Sequence, residues 1–95
     1  MSNQLGSELR LLRQAKGLRQ RDVADVVHVT PGFLSQVESG VSAPPSEAKL
    51  RELAEVLGGD PDKLLALAGK LPTDLYSALV QRPDLWPRIR VSITR

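Results

Sequence analysis

The sequence predicts an all-α fold, and three observations lead to that prediction. Apolar residues recur at helical spacing in successive short stretches, as in Leu5, Leu9 and Leu12. Glycines such as Gly17 and Gly69 follow these stretches, where a helix commonly ends. Only residues 88–95 break the pattern, because apolar and polar residues alternate there with the period of a strand.

Residues 20–38 contain two short helical patterns separated by a tight turn. Val23 and Val27 form the first apolar stripe, and Leu34 and Val37 form the second. Two short helices that cross over such a turn make a helix-turn-helix unit. The second helix of that unit is shaped to enter the major groove of DNA.

The turn itself contains residues that favour the start of a helix. Thr30 can cap the second helix, and Pro31 suits its first turn, where no backbone N–H is needed. Ala24 is the small residue at which the two helices would cross. His28 is the only histidine, and we interpret it as a turn residue because histidine tolerates a left-handed backbone.

The second helix, predicted over residues 31–38, would turn a small polar face outward. At ~100° per residue, Leu34 and Val37 share the inward side with Glu38. The residues predicted to contact bases are Gly32, Phe33, Ser35 and Gln36. A glutamine can form two hydrogen bonds with adenine, and an aromatic ring can contact a thymine methyl. The alternative is an ordinary solvated helix face, which the turn and the neighbouring helices disfavour.

Five segments between residues 9 and 58 form a wider pattern. They are LRLLRQAKGLRQ at Leu9–Gln20, VA at Val23-Ala24, VTPGFLSQVESG at Val29–Gly40, PS at Pro45-Ser46 and LAEVLG at Leu53–Gly58. With these segments the chain resembles the phage-repressor-like (Xre/Cro) helix-turn-helix family. The resemblance implies a five-helix lambda-repressor-like DNA-binding domain. His28 departs from it, since the family usually has a glycine in the turn, and the loop before Ser46 is one residue longer than the commonest pattern.

Two charged residues fall inside apolar stripes. Arg13 lies in the stripe of the first helix and Glu38 in that of the second helix of the unit. A buried arginine without a carboxylate is costly, so the two are predicted to form a structural ion pair, as the family commonly has at these positions. The resemblance also implies that Gln20 anchors a DNA phosphate. The predicted phosphate contacts are Arg19, Gln20, Arg21, Thr30, Ser39 and Ser42.

The remaining helices and the domain limits follow from caps and stripes. The other predicted helices cover residues 7–16, 46–57, 60–69 and 71–81, with Ser7, Ser46 and Asp60 as capping residues. Residues 5–69 are therefore predicted to form the helix-turn-helix DNA-binding domain. Residues 70–95 are predicted to be a C-terminal extension that mediates dimerisation.

The extension contains more apolar residues than a five-helix domain needs. In residues 88–95, Ile89, Val91 and Ile93 alternate with polar residues, which predicts a strand that pairs with the same strand of a second subunit. The alternative is a frayed tail or a last helical turn. The predicted dimer interface comprises Leu75, Leu79, Trp86, Ile89, Val91 and Ile93.

Composition argues against several other classes of protein. No apolar run approaches the ~20 residues that span a bilayer, and the N-terminus lacks the apolar segment of a signal peptide, so we expect a cytoplasmic protein without a membrane partner. With no cysteine and one histidine, neither a metal site nor a cofactor is expected. No catalytic set stands at useful spacing, so an enzyme is not expected. The net charge of +2 only weakly supports a nucleic-acid partner.

The sequence therefore predicts a regulator that binds a double-stranded DNA operator. We expect a homodimeric repressor from a bacterium or a phage. The alternative is an antitoxin-type protein that binds DNA in the same way and sequesters a protein toxin through its C-terminal segment. Both hypotheses use the same DNA-contacting residues and differ in the partner of residues 71–95, so the sequence leaves this choice open.

Overall fold

The computed structural model describes residues 3–94, which form seven α-helices and one short 3-10 turn. The helices are α1 (Gln4–Ala15), α2 (Gln20–Val26), α3 (Pro31–Ser39), α4 (Glu47–Leu57), α5 (Pro61–Leu67), α6 (Thr73–Gln81) and α7 (Trp86–Thr94). The 3-10 turn at Pro83–Leu85 joins α6 to α7. The predicted all-α class is confirmed. Among the described residues, no helix combines the length and the apolar character needed to cross a membrane.

The hydrophobic core lies within α1 to α5 and their connections. The buried apolar residues are Leu5, Leu9, Val23, Ala24, Val27, Leu34, Val37, Leu50, Leu53, Ala54, Leu57, Leu64 and Leu65. Each fully buried leucine stabilises the fold by about 1.5–3 kcal/mol relative to an exposed one. Helices α1, α4 and α5 thus form a packed support for α2 and α3.

Side-chain caps fix the starts of three helices where the sequence predicts them. The Thr30 hydroxyl accepts a hydrogen bond from the Phe33 N–H at 3.0 Å, and the Ser46 hydroxyl accepts one from Lys49 at 3.2 Å. The Asp60 carboxylate accepts from the Asp62 N–H at 3.0 Å. Each bond satisfies a backbone donor that has no partner within its helix, so α3, α4 and α5 begin at defined residues.

Helix α1 begins earlier than predicted. The prediction places its cap at Ser7, but the helix starts at Gln4, with Asn3 as the capping position. Leu5 is buried in the core, and Asn3 Nδ2 donates to the carbonyl oxygen of Glu38 at 2.8 Å. The local signals for this earlier start are Leu5, which belongs to the apolar stripe, and Asn3, a residue type that favours the capping position. The contact of Asn3 with the end of α3 adds a tertiary bond that the sequence does not show.

The predicted strand at residues 88–95 is wrong for the residues that the structure describes, because Trp86–Thr94 is helical. Pro87 stands in the first turn of α7, where a missing N–H costs nothing. A helix satisfies its backbone groups within the segment, whereas a strand needs a neighbour. Helical geometry also separates residues that a strand would align. Ile89 and Ile93 share one side of α7, while Val91 points ~160° away from each of them.

Helices α6 and α7 extend away from the five-helix unit. Neither of them contains a buried residue. Helix α6 is attached at its start, where the backbone N–H and the hydroxyl of Thr73 donate to the Glu47 carboxylate at 3.1 and 2.7 Å. The radius of gyration is 15.4 Å, compared with the ~12 Å expected of a compact chain of this length. The two helices and the 3-10 turn between them therefore form a projecting segment, called the α6–α7 hairpin below.

Candidate nucleic-acid interface

The α2–turn–α3 unit has a well-defined geometry. His28 adopts a left-handed backbone with φ of 59°, as expected of a turn residue. The Val29 N–H donates to the Ala24 carbonyl at 3.0 Å, and Lys49 Nζ donates to the carbonyl of Val27. Ala24 is fully buried at the place predicted for the helix crossing. These contacts hold the start of α3 in a fixed position relative to α2.

Helix α3 has one buried face and one exposed face. Leu34, Val37 and Glu38 are buried. Among the residues predicted to contact bases, Gly32, Ser35 and Gln36 are exposed, while Phe33 is partly buried and packs against the core. The polar part of the predicted reading face is thus accessible as one surface. Phe33 offers only part of its ring to that surface.

Most of the residues predicted to contact phosphates lie at the exposed ends of α2 and α3. Arg19, Arg21, Thr30 and Ser39 are exposed. The Thr30 hydroxyl oxygen is used as the cap acceptor, which leaves its O–H proton available to a phosphate oxygen. Ser39 Oγ donates to the Gln36 carbonyl at 3.2 Å.

Arg19 already has an anionic partner within the protein. Its Nε lies 3.1 Å from Asp22 Oδ2, and the Asp22 carboxylate also accepts from the Arg19 backbone N–H at 2.9 Å. These bonds hold the pKa of the Asp22 carboxyl below its ordinary value. A phosphate must therefore compete with Asp22 for Arg19. Arg21 forms no ion pair among residues 3–94, so its charge is more readily available.

Two of the predicted phosphate contacts are placed differently from the other four. The Ser42 hydroxyl oxygen is buried and has no hydrogen-bond partner among the described residues. The Ser42 side chain or its loop would have to move before it could reach a phosphate. Gln20 Nε2 donates to Glu38 Oε1 at 3.1 Å, so this side chain is tied to the interior of the unit.

Arg13 and Glu38 meet, as their positions in the two stripes predict. Arg13 Nε donates to Glu38 Oε2 at 2.7 Å and Arg13 Nη2 donates to Glu38 Oε1 at 2.9 Å, which makes the pair bidentate. Arg13 Nη1 also donates to the carbonyl of Leu18 at 2.9 Å. The exposed fraction of Glu38 is only 1%. One buried carboxylate thus joins α1, α3 and the α1–α2 link.

The sequence reasoning missed two further partners of Glu38. They are Gln20, described above, and Arg10, whose Nε lies 3.6 Å from Glu38 Oε1 with about half of its side chain exposed. Arg10 precedes Arg13 by three positions, the spacing at which side chains are neighbours on a helix, so that spacing could have identified it. The carboxylate is therefore surrounded by donors from α1 and α2.

Burial alone would raise the pKa of the Glu38 carboxyl. The hydrogen bonds from Arg13 and Gln20, together with the charge of Arg13, outweigh that effect and hold the pKa below its ordinary value of 4.5. Glu38 is therefore ionised in the folded protein at neutral pH, and the network depends on that charge.

A lowered folded-state pKa makes stability depend on pH. The contribution of Glu38 is fully present above its unfolded-state pKa and is lost as the pH falls through the lower folded-state pKa. Denaturant unfolding from neutral pH to about pH 3 should show a steeper loss for the wild type than for Glu38→Gln. The other carboxylates with lowered pKa values are present in both proteins, so the difference between the two pH profiles measures the contribution of Glu38. Parallel curves would contradict this expectation.

The α6–α7 hairpin presents an open apolar groove of about 430 Å³. Its lining residues are Tyr76, Leu79, Val80, Trp86, Ile89 and Arg90. Trp86 Nε1 donates to the Leu79 carbonyl at 2.7 Å and so links the two helices across the 3-10 turn. Of the other residues predicted for a dimer interface, Leu75 and Ile93 are exposed, and Val91 lies on the opposite side of α7.

One sequence comparison and one structural comparison relate this chain to known proteins. Residues 4–67 match a family described as a helix-turn-helix domain. The crystal structure of the clp gene regulator ClgR from Corynebacterium glutamicum is similar over 96% of this chain and 92% of its own, with 27% sequence identity and a TM-score of 0.60. No curated protein sequence matches significantly. The family match spans α1 to α5, and the structural match extends beyond them into the hairpin.

Proposed function

The chain belongs to the helix-turn-helix domain family, and on that premise we propose that it is a sequence-specific, double-stranded DNA-binding transcriptional repressor. Residues 5–69 form its DNA-binding domain, and residues 70–95 form its dimerisation segment. It acts in the cytoplasm of a bacterial cell. The narrower phage-repressor-like assignment rests on the motif residues between Leu9 and Gly58.

The observation that carries this proposal is the exposed face of α3. Its inward side is fixed by Leu34, Val37 and the buried Glu38 network, so its outward side keeps one orientation. That outward side presents Ser35 and Gln36, which are small or flexible enough to enter a major groove. A face held in this way needs little reordering when it binds.

The placement of several predicted contacts suggests a distinct role for each of them. Gln36 reads a base edge, since a glutamine amide can donate to and accept from adenine. Arg21 and Thr30 bind phosphates near the ends of α2 and α3 and fix the orientation of the protein on the duplex. Arg19 binds a phosphate after its ion pair with Asp22 is broken. Ser39 binds a phosphate at the end of α3 once its hydroxyl leaves the Gln36 carbonyl. Gln20 contributes through its bond to Glu38, which positions the start of α2.

The Gln36 assignment is tested by selecting binding sites for the full-length protein from a random duplex library. Gln36→Ala is expected to weaken the selected site by ~1–3 kcal/mol and to leave non-specific binding nearly intact. The matched variant Arg21→Ala should weaken all duplexes alike and reduce the salt dependence of binding. Affinity measured by fluorescence anisotropy at several salt concentrations separates the two effects. An unchanged ratio of specific to non-specific affinity in Gln36→Ala would refute the assignment.

A homodimer is the second part of the proposal. One recognition helix contacts only a few base pairs, which gives little discrimination against the non-specific sites of a genome. Two copies related by a two-fold axis would place their α3 helices ~34 Å apart on one face of the duplex. The groove between α6 and α7, with exposed Tyr76 and Val80, is the apolar surface available for that contact.

The same groove also supports a second candidate function, that of an antitoxin. An antitoxin-type protein would use it to hold a toxin while α3 binds DNA. Co-purification of a stoichiometric second protein with the chain from its native cells would favour this function. Isolation of the chain from those cells as a homodimer that binds its operator without a second protein would favour the repressor.

A further inference from the structure

For six of the seven glycines, the fold itself explains why the residue has no side chain. Those with a left-handed backbone are Gly17, Gly40, Gly58 and Gly69. A side-chain carbon at Gly6 would overlap the carbonyl oxygen of Glu38, and one at Gly59 would lie 2.8 Å from a methyl carbon of Leu12. Replacing any of these glycines would strain the backbone or displace a neighbour.

Gly32 is the exception. It lies within α3, its φ is not positive, and a side-chain carbon built there meets no atom of the protein within 4 Å. Glycine destabilises a helix relative to alanine. The fold alone therefore favours alanine at this position. A molecule that approaches α3 closely from outside would account for the absence of a side chain at Gly32.

The surroundings of Gly32 indicate the chemistry of that molecule. Pro31 and Phe33 flank it, and the side chains of all three residues lack hydrogen-bonding groups. Phe33 is held against the core, so its ring keeps its place. The polar side chains of the face, Ser35 and Gln36, come only in the next turn. The first turn of α3 thus offers an apolar surface with a gap at Gly32.

We propose that this gap receives the 5-methyl group of a thymine, which contacts the α3 backbone directly at Gly32. The inference rests on the proposed function, since it assumes that α3 enters a major groove. The thymine methyl is the apolar group that the major-groove edge of a base pair presents. Glycine permits the close approach that a side-chain carbon would block. Gly32 thereby selects a thymine by shape, one turn before Gln36 reads its base by hydrogen bonding.

The experiment removes one methyl group from the DNA and, separately, adds one to the protein. Each thymine of the duplex selected by the full-length protein is replaced singly by uracil, which lacks only the 5-methyl group. The wild type is expected to lose affinity about fourfold at one of these positions, the effect of one buried carbon. Gly32→Ala is expected to bind the thymine duplex ~5-fold or more weakly than the wild type, because the added carbon overfills the contact. Uracil at the same position should restore binding to Gly32→Ala.

Stability measurements separate this role from a structural one. Gly32→Ala should raise the melting temperature by ~2–8 °C while binding DNA less well. The control Gly69→Ala, at a left-handed residue after α5, should lower the melting temperature and leave affinity unchanged. A lower melting temperature for Gly32→Ala, or no recovery on any uracil duplex, would overturn the inference. If the library yields no enriched sequence at all, the proposed function fails and the inference fails with it.

Discussion

Removing the carboxylate of Glu38 is expected to lower the free energy of unfolding by ~3–5 kcal/mol, which is a large part of the stability of a small domain. In Glu38→Ala the guanidinium of Arg13 remains largely buried without its bidentate partner, and Gln20 loses its acceptor. Arg13→Ala should cost a similar amount because it leaves the carboxylate uncompensated. Denaturant unfolding monitored by circular dichroism measures each loss.

The control for this prediction removes both charges together. In Arg13→Met with Glu38→Leu, the two side chains are apolar and of similar volume, so neither charge is left buried without its partner. Such replacements of a buried ion pair are often neutral or stabilising, and the double variant should therefore lose far less than either single variant. Gln20 can still reach solvent, which limits the residual cost. Equal losses in the single and double variants would contradict the network as the origin of the stability.

Ile93→Glu is expected to dissociate the proposed homodimer and to weaken binding to a two-half-site operator by ~10²–10⁴-fold. Ile93 is 74% exposed and lies on the same side of α7 as Ile89 and Trp86. A carboxylate buried there in a subunit interface would be costly, because it would displace an apolar contact and lose its hydration, and the nearby Arg90 would offset only part of that cost. Once the dimer is lost, each half-site must be bound independently.

Val91→Glu is the matched control for Ile93→Glu. Both variants place the same charge on exposed, β-branched positions of α7, but Val91 lies on the opposite side of the helix from the groove. Val91→Glu should therefore sediment as a dimer at concentrations where Ile93→Glu is monomeric. Identical behaviour of the two variants would count against the groove as the interface. A wild type that is monomeric at tens of micromolar would count against the dimer altogether.

The sequence by itself determined the features that depend on neighbouring residues. The caps at Thr30, Ser46 and Asp60 act within three positions of the chain, and His28 adopts its left-handed turn conformation locally. The alternation of apolar and polar residues over one helical period also decided which side of α3 faces the core. The pairing of Arg13 with Glu38 could also be predicted from the sequence, because two opposite charges on inward faces have few other partners.

Only the tertiary structure decided the features that depend on distant residues. At the start of α1, Asn3 bonds the Glu38 carbonyl, 35 positions away, a contact that no local pattern shows. The Gln20 amide turns inward because its acceptor belongs to another helix. Residues 88–94 alternate with a period of two but are helical. A helix satisfies its own backbone, whereas a strand needs a neighbouring strand, and residues 3–94 contain none. Local patterns predict which face of a helix is apolar, but only the tertiary structure shows which residues each face contacts.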